Sequence, residues 1–392
     1  MTGKGAPSYP PALREPDLPR TAKERPQALR TGWTTGACSA AAAKAAATIL
    51  AGHAPPAHVS IPLPEPFEGS ERARFAVHRT DSEHAATPGW AEAVVVKDAG
   101  DDPDVTHGAH LTVRLARDSD ARAVLFAAGD GVGTATKPGL GLPVGEPAIN
   151  GIPRRMIRAA IAEVVDPSGL RCTISVPGGQ AMAKKTTNRR LGIDGGISIL
   201  GTTGVVRPFS TASWRASVEQ QIDVHAAQGG REVVLATGGR TEQAAMRALP
   251  HLPDAAFVAV GDFTGAALRR AVAHGLSTVR FVGMAGKLAK LAAGVMMTHW
   301  TRSKVDPDLL ACVTAETGGS DALVEAVRAC NSGRHAFELW AGEGLLGEAG
   351  AHLCDAVADN LSRFVEGRLD CHVALADFDS LAILASSRGW PT

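Results

Sequence analysis

At 392 residues, with 40 Lys plus Arg balanced by 40 Asp plus Glu, the chain carries no formal net charge and is long enough for two or three domains of ~150 residues. That balance, with aromatics at only 4%, argues against a polyanion-binding face or a base-stacking platform, so no nucleic-acid partner is expected. Six cysteines form no C-x-x-C pair, which points away from zinc or disulfides and toward a reducing, cytoplasmic setting. No apolar run approaches the ~18 residues of a membrane span, so no membrane association is expected.

Residues 1–28 are proline-dense, of mixed charge and without apolar periodicity, the composition of a disordered leader. Thr34-Thr35-Gly36 then caps an alanine-rich helix over Ala37 to Leu50, stopped near Gly52. Strand-like runs follow at His58–Leu63, Ala73–His78, Ala93–Lys97, Ala109–Leu115 and Ala123–Ala127, then a helix over Arg154–Val165 and a strand over Arg171–Val176. Residues 29–210 therefore read as an α+β domain. From Glu232 the pattern changes to strand and helix in alternation: Glu232–Ala236 with a helix from Thr241, Phe257–Val260 with one from Thr264, and Thr278–Val282 with one from Lys287 to about Met297. Three such units predict a parallel sheet of Rossmann-like α/β type over 211–392, with at least two amphipathic helices in the tail beyond Pro307.

Four motifs carry candidate chemistry. The helix start at Thr34, Thr35 and Gly36 offers backbone N–H groups to an anion, though an ordinary helix cap explains the same residues. Cys38 in its first turn has no His or Asp partner nearby and reads as a buried thiol. Asp98, Asp101, Asp102 and Asp104 fail the calcium-loop spacing and read as a solvated acidic turn, so no protein-bound metal is expected. The run from Gly129 to Asn150, including Asp130, Gly131, Gly133 and Lys137, alternates glycine and proline in the manner of a fixed binding loop. In the second half, Thr237-Gly238-Gly239, Gly261-Asp262 and Gly283 each follow a predicted strand, where open α/β sheets bind nucleotide-like ligands. Strand-to-helix capping alone explains each of these turns singly. Thr298-His299 reads as the C-terminal cap of the third helix.

Taken in order, Arg30–Cys38, Lys97–Thr106, Gly129–Asn150, Gly195–Gly204 and Gly286–Gly294 resemble the CbiD family, the cobalt-precorrin-5B (C-1)-methyltransferases of anaerobic cobalamin (vitamin B12) biosynthesis. The resemblance runs from Leu29 to about the C-terminus, with departures at Trp33, Thr187–Arg190 and Asp262–Thr264. It implies transfer of a methyl group from S-adenosyl-L-methionine to C-1 of a cobalt-bearing tetrapyrrole, giving cobalt-precorrin-6A. Cobalt would arrive with the substrate.

On that basis Thr237, Gly238, Gly239, Gly261, Asp262 and Gly283 are the expected donor-binding residues. Thr34, Thr35, Gly36, Asp130, Gly131, Gly133 and Lys137 are expected on the tetrapyrrole side, with Arg154, Arg155 and Lys184 as further candidates by charge. No catalytic residue is assigned, since in-line methyl transfer needs alignment and water exclusion before it needs a nucleophile. Homo-oligomerisation and handover from other cobalamin-pathway enzymes stay open. Two rivals remain at this level. A nicotinamide-dependent reductase would want an acidic residue closing a strand some ~20 residues past its glycine turn, and Asp254 comes too early. A non-catalytic corrin-intermediate binding protein would lack a donor pocket.

Overall fold

The computed structural model of the protein describes residues 11–17, 29–64, 72–83 and 89–391. They fall into two units, residues 29–210 and residues 211–391 with 11–17. The chain is mixed α/β, with one largely antiparallel sheet and one largely parallel sheet.

In the N-terminal unit β1 (Gly32–Trp33) leads into α1 (Thr35–Leu50), where the Thr34 hydroxyl accepts the Ala37 N–H at 3.1 Å. Alanine, serine and cysteine side chains leave α1 apolar on nearly every face, so it is buried all round. Gly52, at φ 83°, follows its C-terminus. The strands β2 (His58–Pro62), β3 (Arg72–Ala76), β4 (Arg79–Ser82), β5 (Trp90–Val96), β6 (His110–Arg117) and β7 (Leu125–Ala128) follow. Then come β8 (Thr134–Ala135), α2 (Gly151–Ala162), β9 (Leu170–Ser175), α3 (Gly179–Ala183), α4 (Asn188–Leu191), β10 (Ile193–Asp194) and β11 (Val205–Val206). A five-stranded sheet in the order β4-β5-β6-β9-β7 is antiparallel except for the β7–β9 pair. Helix α1 and the β5–β6 face share one apolar core. β4, Arg-Thr-Asp-Ser, has no apolar alternation to announce it; its pairing with β5 makes it a strand.

The acidic stretch is a partly exposed turn between β5 and β6, as expected, but its carboxylates are engaged. Lys97, 1% exposed, pairs with Asp104 at 2.7 Å, and Asp104 also accepts from the Thr106 N–H and hydroxyl at 2.7 and 2.6 Å. Asp98 pairs with Arg30, Asp101 accepts the Arg30 N–H at 2.7 Å and Asp102 accepts the Phe209 N–H at 2.8 Å. Each carboxylate pins a loop, so the motif is a structural knot. Among the described residues no group of three or more His, Cys, Asp or Glu is placed to hold a metal.

The C-terminal unit runs α5 (Thr211–Ala227), β12 (Glu232–Ala236), α6 (Gly239–Ala248), β13 (Phe257–Ala259), α7 (Thr264–Ala273), β14 (Thr278–Gly283) and α8 (Ala285–Ala292). It continues through α9 (Pro307–Glu316), α10 (Asp321–Arg328), α11 (Gly333–Gly342), α12 (Leu346–Phe364), β15 (Asp370–Ala376) and β16 (Ile383–Ser386). Strand order is β13-β12-β14-β15-β16, parallel except for β16. Strands such as Glu-Val-Val-Leu-Ala are nearly continuous apolar runs because helices cover both faces.

The tail is thus not helical alone: β15 and β16 complete the sheet, with Gly283 in register with Leu375. Helix α8 ends at Ala292, short of Met297. Gly294, at φ 77°, ends the turn and lies so close to Ala12 that a Cβ there would meet the Ala12 carbonyl at 2.7 Å.

That contact corrects the expected leader. Residues 11–17 dock on this unit: the Arg14 N–H donates to Gly294 O and the Met296 N–H to Arg14 O, both at 2.9 Å, while Glu15 pairs with Arg269 and Leu13 packs on the core. Proline-rich composition was a poor guide there because backbone pairing needs little apolar surface. The remainder of the expected leader, 1–10 and 18–28, lies outside the described residues.

Candidate functional site

Parallel strands bring the turns after β13, β12 and β14 to one edge of the sheet, side by side. After β12 the chain passes through Thr237 and Gly238 into α6. The Gly238 N–H donates to Thr241 Oγ1 at 3.0 Å and that hydroxyl donates back to Gly238 O at 2.8 Å, fixing the turn. After β13, Gly261 takes the left-handed conformation at φ 56°. A Cβ built on Gly238, Gly239, Gly261 or Gly286 meets nothing within 4 Å, so all four glycines border open space. Gly283 differs. A Cβ there would meet Leu288 at 2.7 Å, so this glycine serves the packing of α8 and not a ligand. Arg240, whose guanidinium lies 4.1 Å over the exposed Phe378 ring, flanks the edge.

Asp262 is the charged centre of this rim. Its Oδ1 accepts from Lys287 Nζ at 2.8 Å and from the Thr298 hydroxyl at 2.9 Å, while Lys287 also donates to Gly261 O at 2.8 Å. Burial opposes ionisation of Asp262, but the Lys287 ammonium, these hydrogen bonds and nearby His299 outweigh it and hold the carboxyl below its ordinary value. Lys290 donates to Thr298 O at 2.9 Å, and burial lowers its own pKa. Thr298 and His299 therefore do not cap a helix; they tie a loop to the strand end. The partners Lys287, Lys290 and Thr298 were missed as site residues in the sequence. Lys287 and Lys290 stand three apart on the helix opening after the third glycine turn, a spacing that puts both on one face.

In the N-terminal unit the structure gathers most of the expected tetrapyrrole-side residues around one segment, Gly196–Gly201. The Gly36 N–H donates to Leu200 O at 3.0 Å, Leu200 N–H to Thr35 Oγ1 at 2.9 Å, Ile197 N–H to Gly131 O at 2.9 Å and Gly133 N–H to Ile197 O at 2.8 Å. Thr34 and Thr35 are buried, at 7% and 4% exposure. The expected anion site at the start of α1 is thus corrected. Gly36 and Ala37 N–H groups are bonded to Leu200 and Thr34, leaving the helix start plugged by protein. Gly131 and Gly133 are likewise packing glycines, with hypothetical Cβ atoms 1.9 Å from Val176 O and 2.4 Å from the Ile193 side chain.

Asp130 is exposed and accepts from Gln180 at 2.7 Å; half-buried Lys137 lies against Gly192. Arg154 braces the loop through Ile149 O at 2.8 Å and Glu146 at 3.0 Å, while Arg155 and Lys184 are exposed. Cys38 is fully buried and burial pushes its thiol up to about 12.

The C-terminal unit is thus a largely parallel α/β sheet whose strand-end turns border open space. Residues 22–208 match the CbiD family model, and residues 297–387 match the model of the CbiD C-terminal domain. The chain belongs to the CbiD family. It is 62% identical over 97% of its length to the cobalt-precorrin-5B C(1)-methyltransferase of Salinispora arenicola, covering 98% of that protein. It is 59% identical to the enzyme of the same name from Rubrobacter xylanophilus, with 96% of each chain covered. A crystal structure of a cobalamin biosynthesis protein (cbiD) from Archaeoglobus fulgidus matches with a TM-score of 0.36 at 24% identity, over 81% of this chain and 85% of that one.

Proposed function

We propose that this chain transfers a methyl group from S-adenosyl-L-methionine to C-1 of cobalt-precorrin-5B, giving cobalt-precorrin-6A in anaerobic cobalamin biosynthesis. The observation that carries the reading is 62% identity over 97% of the chain to a relative bearing that enzymatic name. The β13-β12-β14-β15 parallel order supports a Rossmann-like reading of the C-terminal unit, since the chain reverses direction across the sheet between β12 and β14. Ligands of such sheets bind at that reversal, and the open space beside Gly238, Gly239 and Gly261 supports placing the donor there.

When bound, S-adenosylmethionine supplies an electrophilic methyl on a sulfonium. Thr237, Gly238, Gly239 and Gly261 let the backbone approach it closely. Asp262, kept ionised by Lys287 and Thr298 on Oδ1, offers Oδ2 to a ribose hydroxyl or to the ammonium group. Gly283 acts one step back, seating α8 so that Lys287 reaches Asp262. On the tetrapyrrole side, Thr34, Thr35, Gly36, Gly131 and Gly133 build the platform, and Asp130 and Lys137 are its polar contacts for substrate. No covalent intermediate on the protein is needed. Among the described residues no helix is long and apolar enough to cross a membrane, and the free cysteines fit a cytoplasmic setting.

The test is turnover of cobalt-precorrin-5B with methyl-labelled donor. Label in the corrin product with one S-adenosylhomocysteine formed per methyl is expected; substrate binding without either product would make the protein a non-catalytic carrier.

A further inference from the structure

The loop that leaves Asp262 through Thr298 opens into a cleft of about 620 Å³, lined among others by Arg14, Trp300, Arg302, Lys304, Asp306 and Asp308. The charges here are unequal in availability. Asp306 is committed to capping α9, accepting from the Asp308 and Leu309 N–H groups at 3.1 and 3.4 Å, and Asp308 pairs with Arg328 at 3.3 Å. Arg14, Arg302 and Lys304 are all exposed and have no carboxylate partner among the described residues.

Trp300 adds a flat apolar face that is 58% exposed. The support is rigid: Arg302 and Ser303 N–H groups both donate to His299 O, at 2.8 and 3.0 Å, and the buried Ser303 hydroxyl donates to the same oxygen at 3.1 Å. Arg14 reaches the cleft only because residues 11–17 pair with Gly294 and Met296. Uncommitted cations beside an exposed indole face suit a ligand that is planar and bears several carboxylates.

We propose that this cleft grips carboxylate side chains of the tetrapyrrole, with Arg14, Arg302 and Lys304 meeting the carboxylates and Trp300 lying against an apolar part of the macrocycle. The proposal rests on the methyltransferase reading and adds to it substrate contacts within the C-terminal unit itself, next to the donor rim in sequence and bonding. Nothing in the cleft requires cobalt.

The test uses the full chain and two probes, uroporphyrin as a stable planar octacarboxylate and S-adenosylhomocysteine as the donor product, each titrated by calorimetry. Arg302→Gln with Lys304→Gln should raise the uroporphyrin Kd roughly tenfold, the product of two exposed charge contacts, and flatten its salt dependence. Trp300→Leu should raise it as well, while S-adenosylhomocysteine affinity stays within about twofold in both variants. Unchanged uroporphyrin affinity in the double variant and in Trp300→Leu overturns the proposal, as does a wild type that does not bind the porphyrin. An equal loss of donor-product affinity would make the cleft part of the donor site and also overturn it. Wild type that binds the porphyrin, with the expected losses, but never binds S-adenosylhomocysteine would defeat the methyltransferase reading and leave the cleft assignment standing.

Discussion

Two glycine-rich regions that look alike in sequence do opposite things in space. Within Gly129–Asn150 and Gly192–Gly204, Gly131, Gly133, Gly196 and Gly201 stand where chain already is, a Cβ on Gly196 lying 2.1 Å from Gly131 O, whereas Gly141, Gly145 and Gly195 at the loop tips face nothing within 4 Å. At the strand ends of the C-terminal sheet, Gly238, Gly239, Gly261 and Gly286 face nothing within 4 Å. Gly131 and Gly196 remove bulk so that backbone can pack on backbone. In the second region glycine removes bulk so that something other than the protein can approach. The two regions should therefore respond differently to added side chains.

The largest effect belongs to Gly131→Ala. At φ 73° with Val176 O 1.9 Å from the new Cβ, neither the backbone conformation nor the neighbour can yield cheaply. A loss of at least about 4 kcal/mol is expected, read as disappearance of the N-terminal unit's transition in urea unfolding. A variant that unfolds with the wild type would mean the platform is slack and the contrast false.

Asp104→Ala comes next, because it strands the Lys97 ammonium in a nearly closed site. Unfolding free energy should fall by about 3–5 kcal/mol, and Lys97→Met added to Asp104→Leu should recover part of it. The pH dependence carries the same sign. Burial resists ionisation of Asp104, yet Lys97 and Thr106 prevail and keep its carboxyl below its ordinary 3.8. Its contribution is thus complete above that value and is lost as pH falls through the lower folded-state pKa. Glu163, hydrogen-bonded by Arg72 and Lys44, is lowered from 4.5 to about 2, so its share should drain away between those values. Thermal melts followed down that range should show the loss, and a flat profile would contradict it.

The sequence made much of this legible and hid the rest for identifiable reasons. Helix α1, the first three strands of the parallel sheet (β12, β13 and β14) and the order of the glycine turns follow from capping, apolar runs and turn residues, which are local signals. β15 and β16 were invisible because pairing of β15 with β14, and of β16 with β15, makes them strands, whereas the tail taken alone reads as helices. Within the site, Asp262 could be singled out by its place after a strand. Its partners Lys287 and Thr298, 25 and 36 residues away, could not, because that network exists only after the chain has crossed the sheet. The glycines posed the hardest case: composition does not reveal whether the space beside them is filled.

Gly239→Leu sharpens the contrast from the other side. Position 239 opens α6, where leucine is a better helix residue than glycine, and the side chain enters open space. Stability should change by less than about 1 kcal/mol, while S-adenosylhomocysteine affinity drops by tenfold or more. Asp262→Asn, which keeps shape and removes charge, should weaken that ligand by roughly tenfold through loss of one charge-assisted hydrogen bond. Calorimetric titration of both variants against Gly131→Ala, under conditions where the C-terminal unit stays folded, separates the two kinds of glycine. Donor binding lost at Gly131 and kept at Gly239 would reverse the assignment.

The smallest effect is expected at Cys38, one turn into the helix whose start the platform plugs. Burial raises its thiol to about 12, so at neutral pH the sulfur carries a proton and is no nucleophile. The side chain has no exposed surface and belongs to the apolar core around α1, which assigns it to packing. Cys38→Ala should therefore cost about 1 kcal/mol for the cavity left by one sulfur and leave both S-adenosylhomocysteine affinity and methyl transfer within about threefold of wild type. Cys38→Ser is the more demanding version, since it places a hydroxyl beside Ser39, whose own Oγ is already buried without a partner. A larger stability loss in the serine variant, with turnover retained in both, is the pattern of a packing thiol. Abolished turnover in a folded Cys38→Ala protein would instead require the sulfur in the chemistry and place the reactive centre beneath the plugged helix start.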